Sequence, residues 1–374
     1  MTQENCSAAA VTAMTESHMT IEGCLLSWYI KYDRLTQLMQ AVTADTNRIH
    51  FYVDLNSLLN RVYKIDNSYD TPNSLVVGLL NLVAHYRHFF RNRYNVATRF
   101  YLTYADEANG SHTQYLPTFG KSDPILPFIY EARHYSIETQ LNLIATLVNY
   151  IPEVYYIRSH ASFAEWTCHR IVKDTTDKGQ SSATHIILTT SKYVYQVPAL
   201  FYGSQVYVMK PMKSKEGDES VIVRPDTVLL AYYSKLAPNT SIRTILPQLN
   251  PKLLSLLMTF NGCRDKKITA VTNINRAAIM VYKAIVANQI MNDYSADMGF
   301  VYTALESFNV HTIIDLANFE NRFRGLDVRF QTKLFKVTPE AKNESWHKDL
   351  HDPETMKQLN ELYFKDTPID LLRL

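Results

Sequence analysis

The chain has 374 residues, 46% of them hydrophobic and 20% charged, with a formal net charge of +2. That length allows one large or two medium domains around a sizeable core, and the near-neutral balance supplies no global field to draw in nucleic acid. Only 10 Gly stand against 25 Tyr, and neither GxGxxG nor GxxxxGK[ST] occurs, which excludes both common nucleotide-binding loops.

Residues 1–20 are small and polar and read as an arm outside the core. Residues 21–46 carry a helical pattern in Ile21, Leu25, Tyr29, Leu35, Leu38 and Met39. HFYVDLNSLLNRVY (50–63) runs apolar and aromatic into Asp54 and then turns helical, the pattern of a buried strand with a carboxylate at its C-terminal end. In an open α/β sheet that end is where ligands and metals collect. A long helix is predicted over Asn73–Tyr94, with Leu75, Val76, Leu79, Leu82, Val83, Tyr86 and Phe90 on one face. Strand Thr98–Tyr104 then closes on Ala105, Asp106 and Glu107.

A polar loop (108–127), a helix over Ile129–Tyr150 and a strand over Val154–Ile157 come next. Ala161–Lys173 reads as helix and Ser182–Thr190 as a buried strand. Val206–Met209 and Val221–Val223 flank the charged turn KSKEGDE as a hairpin. Beyond it Pro225–Tyr233, Asn250–Phe260, Asn275–Met291 and Gly299–Glu306 all read as helix, and the last 40 residues form a charged tail. Strand–helix alternation predicts an α/β fold, a parallel sheet covered by helices, with a helical C-terminal subdomain. The expected segments are an arm and helix (1–47), an α/β domain (48–224), a helical subdomain (225–335) and the tail (336–374).

Cys6, Cys24, Cys168 and Cys263 lack CxxC spacing, which argues against structural zinc and disulfides alike and fits a reducing compartment. No apolar run reaches the roughly 20 residues of a membrane span, and the N-terminus, with Glu4 and Glu16, is not signal-like.

Six segments in order carry a resemblance: FYVDLNSLL, FYLTYADEANGSHTQYLPTFGKSDP, YYIRSHASFAEWTCHRIVK, THIILTTSKYVYQV, VIVRPDTVLL and FNGCRDKKITAVTNINRAAI. Together, from about 48 to 290, they resemble the 5′-nuclease family of flap endonucleases and 5′–3′ exonucleases, with its PIN-like fold, in bacteriophage versions. The resemblance implies a cluster of carboxylates holding two divalent metals, a loop gripping substrate phosphates, and a helix–hairpin–helix-type motif on duplex backbone. Carried over by position, the acids are Asp54, Asp106 and Glu165, with Asp265 slightly out of register.

The rest of the pattern departs. Ser191, Lys192 and Tyr193 stand where an acidic pair belongs, and Cys263 and Lys266 replace two more acids. A lysine ammonium among the ligands opposes metal binding by charge repulsion. Ala270, Asn273 and Asn275 stand at the motif's glycine positions, where a Cβ obstructs close approach of phosphate. Only Lys121 is basic in the phosphate loop, beside Ser111, Thr113 and Gln114.

The expected function is therefore a non-catalytic structural protein on a degenerate 5′-nuclease-like scaffold. As a bacteriophage virion component, such as a tail or neck ring subunit, it would hold no metal cofactor and pair with other virion proteins or its own copies. Its tyrosine pairs (Tyr155–Tyr156, Tyr193 with Tyr195, Tyr232–Tyr233) suit contact surface. It would be located in the virion, or otherwise in host cytoplasm, with no membrane. The alternative is a divergent Mg²⁺-dependent nuclease on DNA or RNA using Asp54, Asp106, Glu165 and Asp265, with Asp54 and Asp106 as the metal ligands. For Asp54 the competing reading is an acid that caps the next helix.

A third reading is a nucleic-acid binder built on His85, Arg87, Arg91 and Arg93, interleaved with Tyr86, Phe89 and Phe90, with Lys121 as a further cation. Against it stands an ordinary solvated helix end whose cations complement the dipole. Cys168 and His169 are adjacent on a helix and do not face each other, so packing is expected there.

Overall fold

Strand β1, Arg48–Asp54, is buried along almost its whole length, as an apolar run between two helical faces must be. The computed structural model describes Thr46 and residues 48–58, 74–105, 138–148, 151–159, 161–176, 183–201, 205–214, 217–233, 245–287 and 316–334. These fall into two units, 48–158 with 211–221 and 159–210 with 222–334. The predicted N-terminal helix, the loop 108–127, the helix at Gly299–Glu306 and the C-terminal tail lie outside the described residues.

In the first unit β1 is followed by α1 (Ser74–Tyr94), β2 (Ala97–Ala105), α2 (138–147) and β3 (Val154–Ser159), with the strands in the order β3-β2-β1. β1 and β2 are parallel, in register from Arg48 against Ala97 to Asp54 against Thr103. Alternation along β1 sends Phe51 to one face, where its ring stacks on Tyr86 and Phe100 at 4.8 Å each and meets Phe90 at 5.7 Å. On the other face Tyr52, Tyr101 and Tyr155 stack across three strands at 5.3 and 5.5 Å. Each such ring contributes about 2–3 kcal/mol by leaving water.

The predicted face of α1 is the buried one, through Val76, Leu79, Leu82, Val83, Tyr86 and Phe90. The helix stops at Asn95, which takes φ 54°; the Val96 N–H reaches back to Phe90 O and the Asn95 N–H to Arg91 O. This is the left-handed terminator that Asn tolerates better than branched residues.

The second unit runs α3 (Phe163–Thr176), β4 (Ala183–Leu188), a 3₁₀ turn Tyr193–Tyr195 entering α4 (Gln196–Leu200), and the hairpin β5 (Val206–Ser214) and β6 (Gly217–Val223), whose distal part belongs to the first unit. A 3₁₀ turn Pro225–Thr227 then enters α5 (Val228–Tyr233). After it come α6 (Leu254–Asn261), α7 (Ile274–Ala287), α8 (Leu316–Leu326) and α9 (Val328–Leu334). β4 and β5 are parallel, His185 opposite Val206 through Leu188 opposite Met209. The α/β class with parallel strands, helical cover and a helical C-terminal region is therefore as expected.

Two findings differ from expectation. α8 and α9 had not been assigned; Phe260, Phe319, Phe323 and Phe330 form an aromatic row at 5.1, 6.4 and 5.8 Å that fixes them on α6. The tyrosine pairs are also corrected. Tyr193, Tyr195, Tyr232 and Tyr233 are all buried inside the chain, as are Tyr52, Tyr86, Tyr101 and Tyr104, so these rings are core material. Only Tyr155 and Tyr156 of the named pairs are partly exposed. Among the described residues no helix is long and apolar enough to cross a membrane.

Candidate functional site

Glu165 lies in the first turn of α3 and is 2% exposed. The sequence Ser162-Phe163-Ala164-Glu165 is half of a capping box: Glu165 Oε2 accepts the Ser162 N–H at 3.0 Å, satisfying one orphan donor of the helix. The other oxygen, Oε1, accepts the Tyr193 hydroxyl at 3.1 Å and the Lys266 ammonium at 3.2 Å. Burial, then the charge of Glu165, pushes the Tyr193 phenol well above its ordinary pKa, so it stays protonated and donates.

Lys266 and Asp265 sit at the tip of a tight hairpin. Cys263 and Ile268 exchange both backbone bonds at 2.8 and 2.9 Å, and the Lys267 N–H closes the turn onto Arg264 O at 3.1 Å. Gly262 opens it at φ 78°, where a Cβ would meet Ala270 N and Ile268 O at 2.6 Å. Asp265 Oδ2 accepts the Ser191 hydroxyl at 2.7 Å and the Tyr193 N–H at 3.2 Å. It thereby caps the helical turn at 193–200 from a distant part of the chain. The Lys266 Nζ also stands 4.7 Å over the Tyr193 ring. Lys192 is turned to Tyr232, bonding its carbonyl at 3.2 Å and standing 5.2 Å over its ring.

Of the four candidate acids, then, Glu165 and Asp265 are joined through Tyr193 and the hairpin tip. Asp54 belongs to the first unit, and Asp106 lies outside the described residues, as does Lys121. Asp54 is 3% exposed and accepts the Ser57 N–H at Oδ1 (3.1 Å) and the Ser57 hydroxyl at Oδ2 (2.6 Å). These are the bonds of a helix cap. Two residues on, Asn56 grips the end of β2, its amide nitrogen donating to Ala105 O at 3.0 Å and its oxygen accepting the Ala105 N–H at 2.8 Å. Sequence reasoning missed that clamp.

A hard divalent cation needs open oxygen ligands and net negative charge. The group around Glu165 does not fit one: an ammonium and a phenol already hold the one oxygen that the capping bond leaves.

The basic–aromatic stretch on α1 is divided between core and surface. Tyr86, Phe89 and Phe90 are buried. The Arg87 guanidinium donates to Pro152 O and lies 5.8 Å over Phe100, and burial lowers its pKa to about 10. Burial, then the charge of His88, lowers His85 to about 4, so it is neutral at pH 7. Arg91 and Arg93 are exposed.

Cys168 and Cys263 are both buried, and desolvation pushes each thiol to about 12, which leaves neither as a nucleophile at neutral pH. A second buried network, also missed from sequence, surrounds Asp327. It accepts the Ser255 hydroxyl at 2.8 Å and both the backbone and guanidinium of Arg329, while Gln196 bonds Leu326 O and the Val328 N–H on either side. Its partners are internal, and it ties α4 and α6 to the start of α9.

Scans against protein-family models and curated proteins find no match. Among the solved structures that match, two serve as examples. One is a flap endonuclease pseudo-enzyme of bacteriophage T5 in complex with DNA product and metal ions, at 11% identity over 76% of this chain and 97% of that chain, TM-score 0.38. The other is a T5 5′-exonuclease with divalent zinc bound, at 10% identity over 76% of this chain and 100% of that chain, TM-score 0.39.

Proposed function

We propose that this protein is a catalytically inert member of the 5′-nuclease-like lineage, kept as a structural part of an assembly, with a bacteriophage virion as its setting. The observation that carries the first half is the Lys266 ammonium 3.2 Å from the buried Glu165 carboxylate. A fixed internal cation there removes the negative charge by which a hydrolytic metal pair would be recruited. The Asp265 carboxylate is committed in the same way, to Ser191 and Tyr193. The assembly half rests on elimination, since a scaffold without chemistry persists by what it contacts.

The test is cleavage of flap and single-stranded DNA with Mg²⁺ and Mn²⁺, with Asp54→Ala and Glu165→Ala run alongside. No cleavage by any form, with the protein sedimenting as a defined ring or co-purifying with particles, is expected. Cleavage lost on Asp54→Ala would overturn the proposal in favour of the metal-dependent nuclease. What supports that second reading is the position of Asp54 at the C-terminal end of a parallel strand.

A further inference from the structure

We infer that the Lys266 ammonium is the resident cation of the Glu165 site, so that this corner of the fold closes on an internal charge where a metal ion would otherwise be required. The inference deepens the inert-scaffold reading and assigns Lys266 a role of its own. Glu165 is too deeply buried, at 2% exposure, to stand as an uncompensated charge. Its three bonds come from three segments: the Ser162 backbone, the Tyr193 hydroxyl and the Lys266 ammonium. Only the last carries positive charge. Among the described residues no other cation is bonded to Glu165.

The hairpin that delivers Lys266 is built for the purpose. Gly262 supplies a φ that residues with a Cβ rarely adopt, the Cys263–Ile268 bridge fixes the tip, and Asp265 holds that tip onto Ser191 and Tyr193. The ring of Tyr193 forms one wall of the ammonium's seat at 4.7 Å. Lys266 itself keeps 22% of its side chain exposed, so a vacated seat would be open to small solutes. Ser162 Oγ, buried in the same helical turn, has no hydrogen-bond partner and is a spare oxygen beside the carboxylate.

A seat of this kind, emptied, should take a cation from solution. Lys266→Ala leaves the carboxylate, the phenol and the aromatic wall in place. The chemical class expected to refill it is a small primary ammonium ion, with a divalent cation as the second source of the same charge. The experiment measures thermal midpoints of the wild type, Lys266→Ala, and Lys266→Ala with Glu165→Gln. Each is melted in sodium, methylammonium, tetramethylammonium and manganese chlorides at matched ionic strength.

Lys266→Ala should lower the folding equilibrium constant on the order of a hundredfold, the low end for breaking a buried pair, because the ammonium is partly solvated. Methylammonium or Mn²⁺ should restore much of that loss. Tetramethylammonium, which has no N–H to donate, should not, and the wild type should respond to none beyond sodium. The double variant, which has no carboxylate charge, should melt above Lys266→Ala and be indifferent to the cation.

Failure of every cation to restore Lys266→Ala, or restoration that persists in the double variant, overturns the inference. So does a rise of the wild type with Mn²⁺ that the double variant does not share. If Lys266→Ala does not fold in sodium chloride, its refolding yield from urea in methylammonium against sodium is the same readout. DNA cleavage by the wild type would sink the inert-scaffold reading with these melting results intact.

Discussion

His85 gives the sharpest quantitative expectation. It sits on α1 with its Nε2 buried and unbonded, edge-on to Tyr86 at 6.1 Å, and burial together with the His88 charge brings its pKa from 6.5 to about 4. In the unfolded chain the ring takes up a proton as pH falls through about 6.5, whereas in the folded protein it does so only near 4. Between those values unfolding is coupled to proton uptake. The contribution to stability is thus intact above pH 6.5 and is lost, by up to about 1.4 kcal/mol per pH unit, as pH falls toward 4.

From pH 7.5 to pH 5 the difference amounts to about 2 kcal/mol, or about 1 kcal/mol once the partial exposure of the ring is allowed for. The perturbation is His85→Gln, which removes the titration and keeps the polarity. Urea unfolding followed by tryptophan fluorescence at pH 7.5, 6 and 5 should show the wild type losing that much more than the variant. Parallel losses would refute the assignment. The same shift has a bearing on binding, because a histidine neutral at pH 7 offers a phosphate no positive charge there.

Three further expectations concern stability. Phe51→Ala, removing a ring stacked on two others with no solvent exposure, should cost about 3–5 kcal/mol in denaturant titrations. Asn56→Ala should cost about 1–3 kcal/mol by orphaning both polar groups of Ala105, and amide exchange at Ala105 should speed up with it; Asn56→Asp should be worse, since it presents a carboxylate to Ala105 O. Gly262→Ala should lower stability by about 2 kcal/mol or more, because the φ of 78° is strained for any Cβ and backbone atoms at 2.6 Å must move. An unchanged midpoint in that variant would mean that the hairpin has another accessible conformation.

The parts of the fold read correctly from sequence are those fixed by local periodicity. HFYVD could only be a buried strand, and the apolar stripe of α1 had one possible face. α8 and α9 escaped because Asn318, Glu320, Arg322 and Arg324 dilute a stripe of Phe319, Phe323, Leu326 and Phe330 whose spacing was nevertheless helical. Tyr193–Tyr195 has strand-like composition, yet it forms a 3₁₀ turn because Asp265 caps it from 72 residues away. The candidate site divides in the same way. Ser162-x-x-Glu165 has the spacing of a capping box, a local signal the sequence reading passed over, whereas Lys266 is 101 residues distant and came near Glu165 only through the family resemblance. The contact-surface reading does not hold for Tyr193, Tyr195, Tyr232 and Tyr233 for a related reason: a count of rings does not say which side of the surface they occupy.

The wiring of the second unit sets the order in which it can assemble. The bonds that close it span 28 residues from Glu165 to Tyr193, 74 from Ser191 to Asp265, 101 from Glu165 to Lys266 and 130 from Gln196 to Leu326. Each contact closes a long loop whose ordering entropy must be spent before the contact gives its return, and a late formation, after the folding barrier, is the expectation that follows for the most distant of them. Interactions absent from the transition state leave the folding rate alone and slow the unfolding rate. On that expectation the hairpin carrying Lys266 acts on the native lifetime: weakening it should leave newly made chains folding at their usual speed and shorten the time each one survives, which refolding and unfolding rates of Lys266→Ala would check.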